Sequence, residues 1–333
     1  MAKLIYESTL VLNRPTSTVI VFTVFASLFL SACGPADMQK NSGSTVSADG
    51  KLNVVATTGI VGDLVRELGG DAVNVTSLMG PGVDPHLYKA SEGDVGRLSD
   101  AQIIFYHGMH LEAKMSDVLE QLGSRRKVVA VTSGLKESTL LGEEGGDAGH
   151  DPHVWFDVKL WKEAAAPVTA ALKEALPEKA EYLDQRNEQW LTQMDDLDTS
   201  VRVCLAPVPE GKRVLVTAHD AFRYFGRAYN IEVRGLQGIS TASEASARDV
   251  DELAQFIVER QLPAIFVESS VPRRNVDAVL QAVASKGGGT TVGGELLSDA
   301  LGNEGTAEAT YFGTVLHNAC TIGSALSGGA AAP

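Results

Sequence analysis

Between Val158 and Leu205 the chain contains no glycine, and its two prolines there, Pro167 and Pro177, sit where helices are punctuated. Proline is tolerated in a first helical turn, so Pro177 opens a fresh helix. From there Leu183, Trp190, Met194, Leu197, Val201 and Cys204 recur at steps that keep to one helical face. The spacing predicts a helix of about 29 residues, about 43 Å long at 1.5 Å per residue. A rod of that length in mid-chain separates whatever precedes it from whatever follows.

On both sides of the rod, short β-rich runs alternate with helical patterns. Before it come Leu52 to Ala56, Ile60 to Leu68, Val73 to Met79, Glu92 to Leu98, Ile103 to Tyr106, Leu111 to Leu122 and Val128 to Val131. After it come Val214 to Thr217, Ala221 to Tyr229, Ile231 to Val233, Ala247 to Arg260, Ala264 to Val267, Arg274 to Lys286, Thr290 to Val292 and a last helix from about Gly305. Strand, helix, strand in repetition implies parallel sheets covered by helices. The expected class is therefore α/β, with two similar lobes, each a parallel-rich sheet flanked by helices, joined by one long rigid helix. The expected boundaries are 51–157 for the first lobe, 158–205 for the linking segment and 206–333 for the second.

The N-terminus has a different chemistry. Lys3 and Arg14 precede an apolar run from Thr18 to Leu30 that ends in Leu30-Ser31-Ala32-Cys33. The run is shorter than the roughly 20 residues of a membrane-spanning helix, and small residues precede the cysteine, as in an export signal that is cut away. Leu-Ser-Ala-Cys resembles the bacterial lipobox, which implies a signal peptide over residues 1–32 and a mature chain starting at a lipid-bearing Cys33. Acyl chains add about 0.8 kcal/mol per buried CH2, so such a chain is held at a bilayer. Residues 33–50 are rich in Ser, Gly, Asp and Asn and read as a flexible tether.

Formal charge is −14; residues 1–32 carry Lys3, Arg14 and Glu7, a net +1, so the mature form stands at −15. A chain that acidic repels phosphate, which argues against nucleic-acid partners. After Cys33, only Cys204 and Cys320 remain. Outside the cytoplasm the pair is compatible with a disulfide or with two buried thiols, and it lacks the CxxC spacing of a redox or zinc-ribbon site.

Four segments fall where a parallel sheet delivers its functional loops, at the carboxyl ends of strands. They carry His86 in GPGVDPHLYKAS, His150 and His153 in HDPHVWFD, His219 in AHDAFRYFG and Asp299 in GGELLSDALG. Singly, each histidine is compatible with a solvated or capping residue, and Asp299 with a helix cap. Together, three histidines and one aspartate can fill a tetrahedral shell for zinc, manganese or iron, with two donors from each lobe.

The chain resembles the metal-specific solute-binding lipoproteins of bacterial ABC importers, the zinc/manganese/iron-binding family of cluster A-I type. The resemblance rests on GVDPHLYKAS, DPHVWFDVKLW, VLVTAHDAFRYFGRAYN, LQGISTASEAS, AIFVESSVPRRNV and LSDALGNEGTAEATYFGTVLHN, in family order. It implies His86, His153, His219 and Asp299 as ligands of one divalent transition metal ion, zinc or manganese with iron open, carried as cargo. It also implies a monomer that delivers the ion to a membrane permease with its ATPase, from an extracytoplasmic position anchored through acylated Cys33. No catalytic residues are expected. Two rival readings are a surface adhesin that retains a metal-binding fold and a zinc hydrolase. Four protein ligands would close the shell that catalytic zinc keeps open, and neither an HExxH helix nor a GxSxG elbow is present.

Other histidines are assigned elsewhere. His150 lies in a short acidic, glycine-rich stretch where zinc-specific relatives carry a longer histidine-rich loop. His107 stands where relatives often have asparagine, and His107 and His110 fall near the cleft, lining it or without a role there. His317 is structural within the last helix. Glu112 begins a helix. Glu244 in STASEAS is the candidate to orient a ligand imidazole, since ligating histidines usually donate their other N–H to an oxygen. The Arg pairs beginning at Arg125 and Arg273 read as solvated surface.

Overall fold

The computed structural model describes residues 50–142 and 149–329. The export segment and Cys33 lie outside the described residues, as do residues 143–148 of the acidic loop before His150. Among the described residues, no helix is long and apolar enough to cross a membrane.

The first lobe runs β1 (Leu52–Ala56), α1 (Gly59–Gly69), β2 (Val73–Ser77), α2 (Glu92–Asp100), β3 (Ile103–Tyr106), α3 (Ser116–Gly123) and β4 (Lys127–Ala130). Its four strands pair in parallel in the order β2-β1-β3-β4. Helix α1 starts where the Thr58 hydroxyl accepts the Val61 N–H, and it buries Ile60, Val61, Leu64, Val65 and Leu68 against the sheet. Helix α2 opens with a reciprocal capping box between Ser91 and Asp94. Helix α3 begins later than the apolar pattern predicts: Met109 and His110 adopt left-handed backbone, with φ of 54° and 60°, and Ala113–Met115 form a tighter 3-10 turn ahead of the helix.

The linking segment comprises α4 (Val158–Glu163), α5 (Ala165–Ala175) and α6 (Ala180–Leu205). The predicted long helix is 26 residues, which is about 39 Å at 1.5 Å per residue. The difference lies at its start, where Pro177–Lys179 form a tighter 3-10 turn. Leu183, Trp190, Met194, Leu197, Val201 and Cys204 are all buried, so the apolar stripe faces the core along its whole length.

The second lobe contains β5 (Val214–His219), α7 (Arg223–Tyr229), β6 (Glu232–Gln237), α8 (Ala247–Glu259), β7 (Ala264–Glu268), α9 (Arg274–Ser285), β8 (Thr291–Leu296) and α10 (Tyr311–Leu326). Its strands form two parallel pairs, β5 with β6 and β7 with β8, with β5 lying beside β7. At the shared end a side chain replaces a ladder bond, since the Glu268 carboxylate takes the His219 N–H. Helix α10 starts at Tyr311, where the Thr310 hydroxyl accepts the Gly313 N–H, several residues beyond the expected start.

The largest apolar cluster is continuous from β1 through α5 and α6 to α10, and includes Phe105, Trp161, Trp190, Phe266 and Ile322. Helix α6 packs on α1, α4, α5 and α10, and Cys204 at its end is disulfide-bonded to Cys320 of α10, with Cα atoms 4.7 Å apart. Truncating a buried tryptophan such as Trp190 to alanine costs about 3–5 kcal/mol. The rod is thus cemented into both halves.

Candidate metal centre

Four segments converge between the lobes: the stretch after β2, the approach to α4, the end of β5 and the stretch after β8. Two share one local device. In Asp84-Pro85-His86 and Asp151-Pro152-His153, the aspartate carboxylate accepts the backbone N–H two residues on, at 2.8 Å for His86 and 3.0 Å for His153. This is an Asx-type turn, stiffened by the fixed φ of the intervening proline. In the second copy the ring also turns onto the carboxylate, with His153 Nδ1 2.7 Å from Asp151 Oδ1. His219 is the last residue of β5, and Glu268, the last of β7, meets both its N–H and its Nδ1. Asp299 follows β8 and accepts the Ser270 hydroxyl at 3.0 Å.

The donor atoms of His86, His153, His219 and Asp299 all lie within 4.8 Å of one another, and all four residues are buried. Nε2 of His86 and of His153 are 3.3 Å apart, Asp299 Oδ1 is 3.5 Å from His153 Nε2, and Asp299 Oδ2 is 3.3 Å from His219 Nε2. Two of these atoms, His219 Nε2 and Asp299 Oδ1, are buried without a hydrogen-bond partner. Leaving such groups unsatisfied costs about 1–3 kcal/mol each. A cation between them would satisfy both, and the three imidazoles and one carboxylate suit zinc, manganese or iron.

The charges are arranged around that point. Burial pushes the His86 imidazole down to about 4, with the Asp299 charge opposing, so it is neutral at physiological pH. Burial works the same way on His153, but the Asp151 and Asp299 carboxylates overcome it and raise that ring to about 9. Against burial, Glu268 and Asp299 raise His219 well above the usual imidazole range. Burial would raise Asp299, yet the His219 and His153 rings hold it well below the usual carboxylate range. Without a cation, the protons on the two rings sit among three carboxylates, Asp151, Glu268 and Asp299.

Glu244, the candidate from sequence for the orienting carboxylate, is exposed and meets Arg274 at 3.2 Å and not a ligand-type ring. The carboxylates on ligand-type rings are Asp151 and Glu268. Each left a signal: an aspartate two residues ahead of the histidine in a D-P-H string, and an acid closing the otherwise apolar run Ala264–Glu268.

His107 is buried, with Nε2 2.6 Å from the Pro152 carbonyl, and its ring stacks on Trp161 and meets Trp155 edge-on. Burial pushes it down to about 3, so it is a neutral donor that braces the His153 loop from behind. Glu112 is buried and accepts from the Thr57 hydroxyl and from the N–H groups of His107 and Gly108, while burial raises its carboxyl. His110 and His150 line a separate cavity of about 750 Å³ beside α3, where His150 pairs with Glu137 at 2.7 Å. His317 bonds to the Glu295 carbonyl. Arg273 pairs with Asp277 on the surface of α9.

Residues 54–325 match the family of the zinc-uptake complex component A, periplasmic (ZnuA). The chain is 51% identical over 281 residues to the zinc-binding protein TroA of Treponema pallidum, covering 84% of this chain and 91% of that one. It is 44% identical over 303 residues to the manganese-binding lipoprotein MntA of Bacillus subtilis, covering 91% and 97%. The solved structure of periplasmic zinc-binding TroA superposes with a TM-score of 0.81 over 83% of this chain and 99% of that one. The Fe(III)-bound structure of YtgA from Chlamydia trachomatis, 27% identical, gives 0.73 over 83% and 98%.

Proposed function

The chain belongs to the ZnuA family of metal-binding substrate-binding proteins, and from that premise we propose that it captures one divalent transition metal ion, zinc or manganese with iron also accommodated, and hands it to an ABC importer. The cargo is held between the lobes by His86, His153, His219 and Asp299. One observation carries this reading: donor atoms from four buried side chains on four separate segments within 4.8 Å of one another, two of them without a hydrogen-bond partner. Relatives named for zinc, for manganese and for Fe(III) fit a donor set that does not restrict itself to one ion.

Four protein donors fill a tetrahedral shell and leave no position for a reactive water, which favours carriage over catalysis. Relatives that carry the word lipoprotein in their names, together with Leu30-Ser31-Ala32-Cys33, support an extracytoplasmic protein anchored through acylated Cys33. The partners are then a membrane permease and its ATPase, and the carrier works as a monomer.

The test is metal content of the purified protein and competition for zinc, manganese and ferrous iron at fixed pH, beside accumulation of each ion in cells with and without the gene. One equivalent of metal per chain and a metal-repairable loss of uptake are expected. Sub-stoichiometric binding of all three ions, or chelator-sensitive turnover of ester or peptide substrates, would overturn the reading.

A further inference from the structure

The four donor side chains are not held alike. His153 and His219 each rest both the backbone N–H and ring Nδ1 on one buried carboxylate. For His86, Asp84 takes the backbone N–H at 2.8 Å, and among the described residues no carboxylate meets its Nδ1. The ring therefore goes where its loop goes, and the loop is anchored at Asp84.

The second Asp84 oxygen looks outward. It accepts the Thr241 hydroxyl at 2.6 Å, from the segment between β6 and α8 in the opposite lobe. One carboxylate thus ties a ligand's backbone to the far side of the cleft. Around His153 the lobes are joined differently, by several bonds from groups on stable elements. The Tyr224 hydroxyl donates to the Asp151 carbonyl at 3.0 Å, Arg227 donates to the Thr139 carbonyl at 2.6 Å, and Trp155 Nε1 donates to the Ser298 carbonyl at 3.1 Å.

The His86 loop has the features of a segment that opens locally. Leu87 is 49% exposed, and Gly82 turns the chain at a φ of 69°. Local opening occurs where buried contacts are few. We propose that the hydrogen bond from the Thr241 hydroxyl to the Asp84 carboxylate is a cross-cleft latch that keeps His86 on the bound cation and sets the rate at which the cation leaves. Thr241 is then a positioning residue, acting through Asp84. The inference rests on the four-residue cargo site proposed above. When the latch opens, the loop withdraws His86 and the cation is left with three donors.

The test is stopped-flow release of zinc from the purified protein into excess chelator. Thr241→Val is expected to release zinc about tenfold faster, equivalent to about 1.4 kcal/mol, with one equivalent still bound and the thermal midpoint of the metal-free protein unchanged. Thr241→Ser, which keeps the hydroxyl, should release at close to the wild-type rate. Asp84→Ala should be fast, and adding Thr241→Val to it should change nothing more, because the partner is already gone. Wild-type release from Thr241→Val, or effects that multiply in the double variant, would overturn the latch. Failure of the cargo site looks different: His86→Ala would then bind zinc with unchanged affinity, and the latch would fall with it.

Discussion

His219 and Glu268 are joined twice: one carboxylate oxygen accepts the histidine's backbone N–H at 2.8 Å, and the other lies 2.5 Å from ring Nδ1. The pair closes the ends of two neighbouring strands and leaves Nε2 pointing at Asp299. Its rotation is fixed before any cation arrives.

Replacing Glu268 with glutamine tests that arrangement. The amide oxygen can still accept the backbone N–H, but the NH2 then faces Nδ1 and removes the charge behind the ring. Loss of such a supporting carboxylate typically lowers metal affinity about 10- to 100-fold. Competition titration against a chelating dye is expected to show a drop in that range with a far-ultraviolet spectrum unchanged. Wild-type affinity would show that the carboxylate does not tune the ring.

Asp299→Ala removes a donor and also the negative charge between the His153 and His219 rings. Affinity is expected to fall beyond the loss seen on removing a supporting group, more than about 100-fold. Each buried ring also loses one of its two carboxylates but keeps the other, Asp151 on His153 and Glu268 on His219, so the metal-free protein should melt only modestly lower near pH 6. Unchanged stoichiometry and affinity would remove Asp299 from the site.

Cation binding should release protons. With His153 raised to about 9 and His219 raised well above the imidazole range, both rings carry a proton on Nε2 near neutral pH, whereas His86, lowered to about 4, does not. Ligands must be deprotonated, so binding near pH 7 should expel about one proton from each of the two raised rings, and affinity should climb as pH rises toward about 9. In the metal-free protein the same two groups contribute stability that is full below the unfolded imidazole value and fades as pH rises through their folded values. Calorimetric titration in buffers of different ionisation enthalpy counts the protons; a count of zero would contradict this charge arrangement.

Asp63 makes a prediction away from the site. Burial raises its carboxyl to about 6, although it accepts the Tyr311 N–H at 2.8 Å. A folded value above the unfolded one means that its stabilising contribution is complete below about 4 and is lost as pH rises through about 6. At pH 8 the buried charge is a cost, of order 3 kcal/mol from a shift of about two units. Asp63→Asn keeps the acceptor and removes the charge, so the thermal midpoint should rise by a few degrees at pH 8 and show no gain at pH 4. A lower midpoint at pH 8 would show that the ionised form is what holds the start of α10.

The architecture was legible because it rests on period and punctuation. The β1 and β3 runs, Leu52–Ala56 and Ile103–Tyr106, are apolar and short, and the buried stripe of α6 repeats at helical steps. What could not be read was conformation set by neighbours. The left-handed turn at Met109 and His110 depends on where the chain must go next, and the start of α10 depends on Thr310 and on Asp63 from the other lobe. In the site, the four converging side chains, His86, His153, His219 and Asp299, were legible as residue types in the expected segments. Their supporting groups were not, because Glu268 meets His219 across 49 residues and Asp84 meets Thr241 across 157, distances over which spacing carries no information.

Helix α6 packs on elements of both lobes, and its last turn is stapled to α10. A protein braced along such a strut leaves its two halves little room to travel relative to each other. What movement remains is left to the loops around the cleft, so the strut confines any opening to short segments and spares the body of each half.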